Sequence, residues 1–171
     1  MEMKNLTLVI DHYACFGCLA CEVACKQENG SDYGVKLIEL REDGPRMMNG
    51  KLDFTYQVNA CLHSECEDTP CVWSCPVDII TVRDDGIVVM DSKECIACEA
   101  CIPECPHDAI RLHPETSVTE KCNLCHHRVE KGLVPACADN ICLAHCIYFG
   151  EVNDVRKQIA AVEAKRNRGA A

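Results

Sequence analysis

Residues 95–106, CIACEACIPECP, set four thiols and a proline in the run C-x2-C-x2-C-x3-C-P. Three thiolates spaced in this way wrap one face of a 4Fe-4S cube, while the following turn carries the fourth to a neighbouring cluster. Such a run implies a second one and obliges the fold to bring distant stretches of chain onto shared clusters. Three more groups are present: Cys15, Cys18, Cys21 and Cys25; Cys61, Cys66, Cys71 and Cys75; and Cys122, Cys125, Cys137, Cys142 and Cys146. With Cys95, Cys98, Cys101 and Cys105 they account for all 17 cysteines.

A cysteine content this high in 171 residues marks either a disulfide scaffold or a metal protein. Three features oppose disulfides. No secretory leader is read in the sequence, the count is odd, and the thiols fall in clumps rather than distant pairs. Zinc knuckles also use C-x2-C, but a third Cys two residues further on has no place in a two-plus-two tetrahedral site. Aromatic residues are only 5%, with one Trp and three Phe, so the clusters themselves are expected to form much of the core.

The formal charge of -10 argues against nucleic acid as a partner, because phosphate neutralisation needs clustered Lys and Arg. Four cubes ligated by thiolates would add about -8 to it, roughly -2 for each. No apolar run approaches the ~20 residues that span a bilayer. A soluble, cytoplasmic chain without direct membrane insertion is expected.

Along the chain, LTLVI reads as a strand leading into the first run, and ACKQENG as a short helix ending at Gly30. Residues 35–40 (VKLIEL) and 54–58 (FTYQV) read as strands joined by a turn-rich polar connection, REDGPRMMNGK. GPRMMNGK is not a phosphate loop, since five residues separate its glycines instead of four and Leu52 follows the lysine. VDIITVRDDGIVVMD predicts a hairpin about Asp85 and Gly86, and HDAIRLH a further strand. Beyond Gly150 the cysteines stop, and Val152, Val155, Ile159 and Val162 predict a helix that packs on the domain.

Runs one and three share a spacing, and runs two and three share the C-x3-C-P close, so the chain reads as an internal repeat. The expected fold is α+β: two pseudo-symmetric, ferredoxin-like dicluster modules of short hairpins and short helices, followed by a helix. Runs two and three, separated by one hairpin, form an inserted module over residues 59–106. Runs one and four form the other over residues 1–58 and 107–150, and residues 151–171 form the helical tail.

The series CFGCLACEVACKQEN, CEDTPCVWSCP, CIACEACIPECP and KCNLCHHRVEKGLVPAC resembles the four-cluster iron-sulfur subunits of molybdenum and tungsten oxidoreductases. That group includes the electron-transfer subunits of dimethyl sulfoxide reductase and formate dehydrogenase. The resemblance covers residues 6–150 and implies four 4Fe-4S clusters. It implies ligand sets of Cys61, Cys66, Cys71 and Cys105; of Cys95, Cys98, Cys101 and Cys75; of Cys122, Cys125, Cys137 and Cys25; and of Cys15, Cys18, Cys21 and one late cysteine. The family usually has C-x3-C at that point. Here Cys142 is favoured by its distance from Phe149 and Gly150, and Cys146 is left as a spare thiol. A second departure is Ser64 and Glu65, which look inserted after His63. The compact length is most similar to subunits serving cytoplasmic enzymes such as tungsten-dependent aldehyde oxidoreductases.

The resemblance implies a large catalytic molybdenum or tungsten subunit as partner, together with a further redox subunit or soluble electron carrier. Clusters near both ends would also allow self-association into longer wires. His126 and His127 read as hydrogen-bonding surface groups rather than ligands, and Trp73 as a packing residue that keeps water from a cluster. The radical-enzyme spacing C-x3-C-x2-C is absent, because positions 28, 78, 108 and 149 hold Glu28, Asp78, Asp108 and Phe149. A non-catalytic electron relay follows. Its rivals are a free-standing polyferredoxin and a zinc-binding interaction scaffold.

Overall fold

The computed structural model describes residues 5–48 and 50–169. Residues 1–4 of the first expected module and residues 170–171 of the tail lie outside the described residues. β1 (Leu6–Ile10) is apolar but for Thr7, whose hydroxyl donates to Leu62 O, because it is covered on both faces, and its partner is β8 (Ile147–Glu151), far along the chain. Leu8 faces Phe149 in the antiparallel register. That pairing draws the first and fourth cysteine groups to one end of the molecule.

Between those strands lie three hairpins, each forming its own two-stranded sheet. β2 (Ile38–Met48) pairs with β3 (Lys51–Ala60), β4 (Ile80–Val82) with β5 (Val88–Met90), and β6 (Ile110–Leu112) with β7 (Thr119–Lys121). The hairpin predicted about Gly86 is present, and that residue supplies the left-handed backbone (φ 81°) its turn needs. The connection predicted over REDGPRMMNGK is corrected. β2 runs straight through it to Met48, with a register shift between Asp43 and Arg46 that accommodates Gly44 and Pro45. Glycine and proline there mark a bulge in a long ribbon rather than its end.

The helices are short except for two. α1 (Ala20–Asn29) ends as predicted, with Gly30 at φ 58° as its left-handed cap. α2 (Pro70–Trp73), α3 (Cys101–Glu104) and α4 (His126–Val129) are single turns set within the second, third and fourth cysteine groups. α5 (Val152–Gly169) lies on β1 and β8. Val155 is completely buried, and Arg166 reaches back to Asp11 while its guanidinium lies 5.1 Å from the Tyr13 ring. Arg156 pairs with Glu65 at 2.8 Å, tying the same helix to the second cysteine group.

No Phe, Tyr or Trp is buried among the described residues. Leu6, Leu8, Val35, Ile38, Ile87 and Leu124 pack with Cys21, Cys25, Cys137, Cys142 and Cys146 in one core. Ile80, Val88 and Ile110 pack with Cys71 and Cys101 in another. A third patch, Cys61, Ala109 and Cys122, lies between the second and fourth cysteine groups. Among the described residues, no helix is long and apolar enough to cross a membrane.

Candidate iron-sulfur centres

The cysteine loops owe their shape to residues held in left-handed backbone. Gly17, Ala97 and Leu124 each stand two places after the first Cys of a C-x2-C pair, with φ of 76°, 55° and 54°. For Ala and Leu this conformation costs on the order of 1–2 kcal/mol. It turns backbone N–H groups inward, as anion-binding nests do. Ala97 N–H lies 3.4 Å from Cys95 Sγ and Leu124 N–H 3.3 Å from Cys122 Sγ. Ala109 N–H donates to Cys105 Sγ at 3.3 Å. Gly17 has a further constraint, since a Cβ there would stand 2.4 Å from the Tyr56 ring.

The thiols fall into four neighbourhoods, each drawing on two stretches of chain. Cys61, Cys66, Cys71 and Cys105 line one cavity, with Lys121 in its wall. Cys75, Cys95, Cys98 and Cys101 line a second, together with Thr119. Cys122 and Cys137 share an electrostatic neighbourhood with Cys25, and Cys125 adjoins both Cys25 and Cys137. Cys21 is close to Cys142 and Cys15, and so is Cys146 to that same pair. Cys18 stands in the same loop, exposed. The Sγ atoms of Cys142 and Cys146 are 3.4 Å apart, and Cys146 N–H donates to Cys142 Sγ, so both late cysteines reach one site.

Neighbouring groups are linked by pairs of thiols one helical turn apart. Cys21 and Cys25 lie on α1, Cys71 and Cys75 on α2 and at its end, and Cys101 and Cys105 on α3 and at its end. The two halves meet where Cys61 and Cys122 pack together. The groups thus follow one another as Cys75/95/98/101, Cys61/66/71/105, Cys25/122/125/137 and Cys15/18/21/142/146. Only the two outer groups contain an exposed thiol, Cys98 in one and Cys18 in the other.

Burial raises eight of these thiols, because it penalises the thiolate. Cys21 and Cys71 are pushed up to about 11 and Cys25 to about 12, while Cys122, Cys137 and Cys146 go higher still. Cys95 departs from the pattern. Desolvation raises it too, but the Thr119 hydroxyl 3.4 Å away and backbone N–H donors outweigh that and lower it. Every thiol held high must release its proton to bind a metal, so the fold stores a set of soft donors that iron converts to anions. Among the described residues no three Cys, His, Asp or Glu side chains converge on a point the size of one ion. Four cysteines line the first cavity and four the second, in each case the donor set that one 4Fe-4S cube would take.

Residues 52–152 match the model of the 4Fe-4S dicluster domain. This protein belongs to that family. Among its relatives, a polysulfide reductase component of Wolinella succinogenes is 34% identical, over 95% of this sequence and 85% of its own. The thiosulfate reductase electron transfer subunit of Salmonella typhi is 34% identical, over 89% of this sequence and 81% of its own. Formate dehydrogenase-O iron-sulfur subunit of Escherichia coli is 34% identical over 86% of this sequence, which spans 53% of that subunit. The cofactor read from the spacing is therefore the family's own, and the mixed helix and strand fold with its C-terminal helix is a 4Fe-4S ferredoxin-like one.

Several polar residues beside the thiols of this dicluster protein have roles that the cysteine spacing does not reveal. Thr119 Oγ1 lies between Cys95 and Cys101. Asn29 Nδ2 approaches Cys25 and Cys125 at 3.6 and 3.8 Å. His63 is completely buried; its Nδ1 accepts from Val88 N–H at 3.1 Å, and its Nε2 has no partner. Desolvation holds its ring well below the usual imidazole range, so the ring is neutral. His127, read as a hydrogen-bonding group, pairs with Glu28 at 2.9 Å and joins α4 to α1. Trp73 is corrected: it is 83% exposed and donates to Asp68 O, so it packs over no cluster.

Proposed function

We propose that this chain is the non-catalytic electron-transfer subunit of an oxidoreductase complex, relaying single electrons through four 4Fe-4S clusters. The carrying observation is the serial order of the thiol groups, with exposed thiols only in the first and last. Each cluster, when bound, takes up and passes on one electron. The ligand sets would be Cys75, Cys95, Cys98 and Cys101; Cys61, Cys66, Cys71 and Cys105; Cys25, Cys122, Cys125 and Cys137; and Cys15, Cys18, Cys21 and Cys142. These form two dicluster modules, residues 59–106 inserted into the other, with residues 151–171 as tail.

The chain's own residues protect and address the relay. Buried aliphatic side chains exclude water from the inner groups, and backbone N–H donors orient the sulfurs. At the ends, exposed Phe16 and Leu19 flank Cys18, and exposed Ile96 lies beside Cys98, which suits contact with other redox proteins. One end would meet a large catalytic subunit, as the relatives' names as parts of reductases and a dehydrogenase support. The other would meet a second redox partner or another copy of the chain. We assign molybdenum or tungsten to the catalytic partner, with an aldehyde oxidoreductase as the narrower reading, and place the complex in the cytoplasm.

The test is anaerobic isolation from the native host, with iron, acid-labile sulfide, molybdenum and tungsten measured on whatever co-purifies. About sixteen irons per chain, four for each of four cubes, are expected, with one of the two heavier metals in a bound large subunit. Zinc in place of iron would overturn the relay. A fully loaded chain that never travels with a large subunit would instead make it a free polyferredoxin.

A further inference from the structure

At the end of β7, the Lys121 side chain is drawn into the interior, with 6% of the residue exposed. Its Nζ donates to Val88 O at 2.6 Å and to Cys122 O at 2.8 Å. Two of the ammonium's three hydrogens are thereby engaged. Among the described residues, no carboxylate pairs with it at ion-pair distance. A buried cation without a counter-charge is among the most costly groups a fold can hold.

The anions that can compensate Lys121 are thiolates. It lines the cavity of Cys61, Cys66, Cys71 and Cys105, and its own neighbour Cys122 opens the next group. It therefore stands at the junction where Cys61 and Cys122 pack, between the two inner groups. In the outer group of Cys95 and Cys101, the polar side chain beside the thiols is instead the uncharged Thr119.

We propose that Lys121 is a fixed counter-charge shared by the two inner clusters, raising the reduction potential of both. The inference rests on the four-cluster reading above. Reduction adds one electron, and so one negative charge, to a cluster that is already anionic. A positive charge held at constant distance favours the reduced form, and low dielectric around it strengthens the effect. Placed at the centre of the series, the charge makes the inner pair the place where an electron rests between the ends.

The experiment is a redox titration of the complete protein followed by electron paramagnetic resonance, with signals assigned through Cys66→Ser and Cys98→Ser. Iron is first counted on the wild type, so a failure of the four-cluster reading appears there, before any variant is compared. Lys121→Met is expected to lower the reduction equilibrium constant of both inner clusters about tenfold, equivalent to about 59 mV for a one-electron couple, and to leave the outer pair in place. Lys121→Arg is expected to keep the wild-type values. Unchanged inner potentials in a fully loaded Lys121→Met or Lys121→Gln protein would overturn the proposal, as would an equal fall in all four. If the uncharged variants fail to hold the inner clusters, retention by Lys121→Arg supports the charge; loss in Lys121→Arg as well assigns the residue a packing role and overturns it.

Discussion

Cys142 and Cys146 reach one site with their sulfurs 3.4 Å apart, although a cube held there by Cys15, Cys18 and Cys21 would have one place left. If Cys142 is the ligand, Cys142→Ser should lose about four irons and Cys146→Ser none, read by iron content and visible absorbance. The reverse result would exchange the two roles. At this scale the sequence was informative where chemistry repeats. Spacing separates the thiols into runs, and the partnership of Cys75 with Cys95 or of Cys25 with Cys122 depends on knowing that the last thiol of a run leaves it. The roles of Lys121, Thr119, Asn29 and His63 were illegible for the opposite reason, although Lys121 and Asn29 stand inside the motifs quoted above. Each is a single polar residue whose importance comes from what tertiary packing places beside it, and no periodicity records that.

Among the elements, the short hairpin β4–β5 and the cap of α1 follow from local turn chemistry and were readable. The β2–β3 ribbon was not, since Gly44 and Pro45 carry the same signal in a bulge as in a loop, and only cross-strand register distinguishes them. The β4–β5 turn also serves the second thiol group, because Ser64 Oγ donates to Gly86 O at 3.0 Å and Leu6 N–H to Asp85 O at 2.9 Å. A Cβ on Gly86 would stand 2.0 Å from Ser64 Oγ and 2.9 Å from Asn5 Cα, in a left-handed conformation. Gly86→Ala should therefore cost about 1–3 kcal/mol, seen as earlier thermal bleaching of the visible absorbance. An unchanged bleaching temperature would show that the turn relaxes freely.

Taken whole, the molecule has two small cores in which cysteine takes the part that aromatic residues play elsewhere. Iron–thiolate bonds then supply folding free energy that a core of this size lacks. Removing iron with a chelator under anaerobic, reducing conditions should collapse the far-ultraviolet circular dichroism and broaden the amide proton spectrum together. A well-dispersed spectrum from iron-free protein would show that the aliphatic residues hold the fold unaided. The overall α+β character and the cluster-bearing core were visible in composition and spacing, whereas the path of α5 across β1 to Asp11 and Glu65 depends on ion pairs between distant residues.

The pairing of β1 with β8 also sets a timetable for biogenesis. β1 is synthesised before β8, so the sheet that seals the first thiol run waits for all the residues between them. Residues 61–105 hold eight thiols and their intervening hairpin in one contiguous stretch, and can take up iron while Cys15, Cys18 and Cys21 still lack their late partner. Maturation is then expected to proceed outward from the inserted segment, with Cys15, Cys18 and Cys21 waiting longest for their partner thiol.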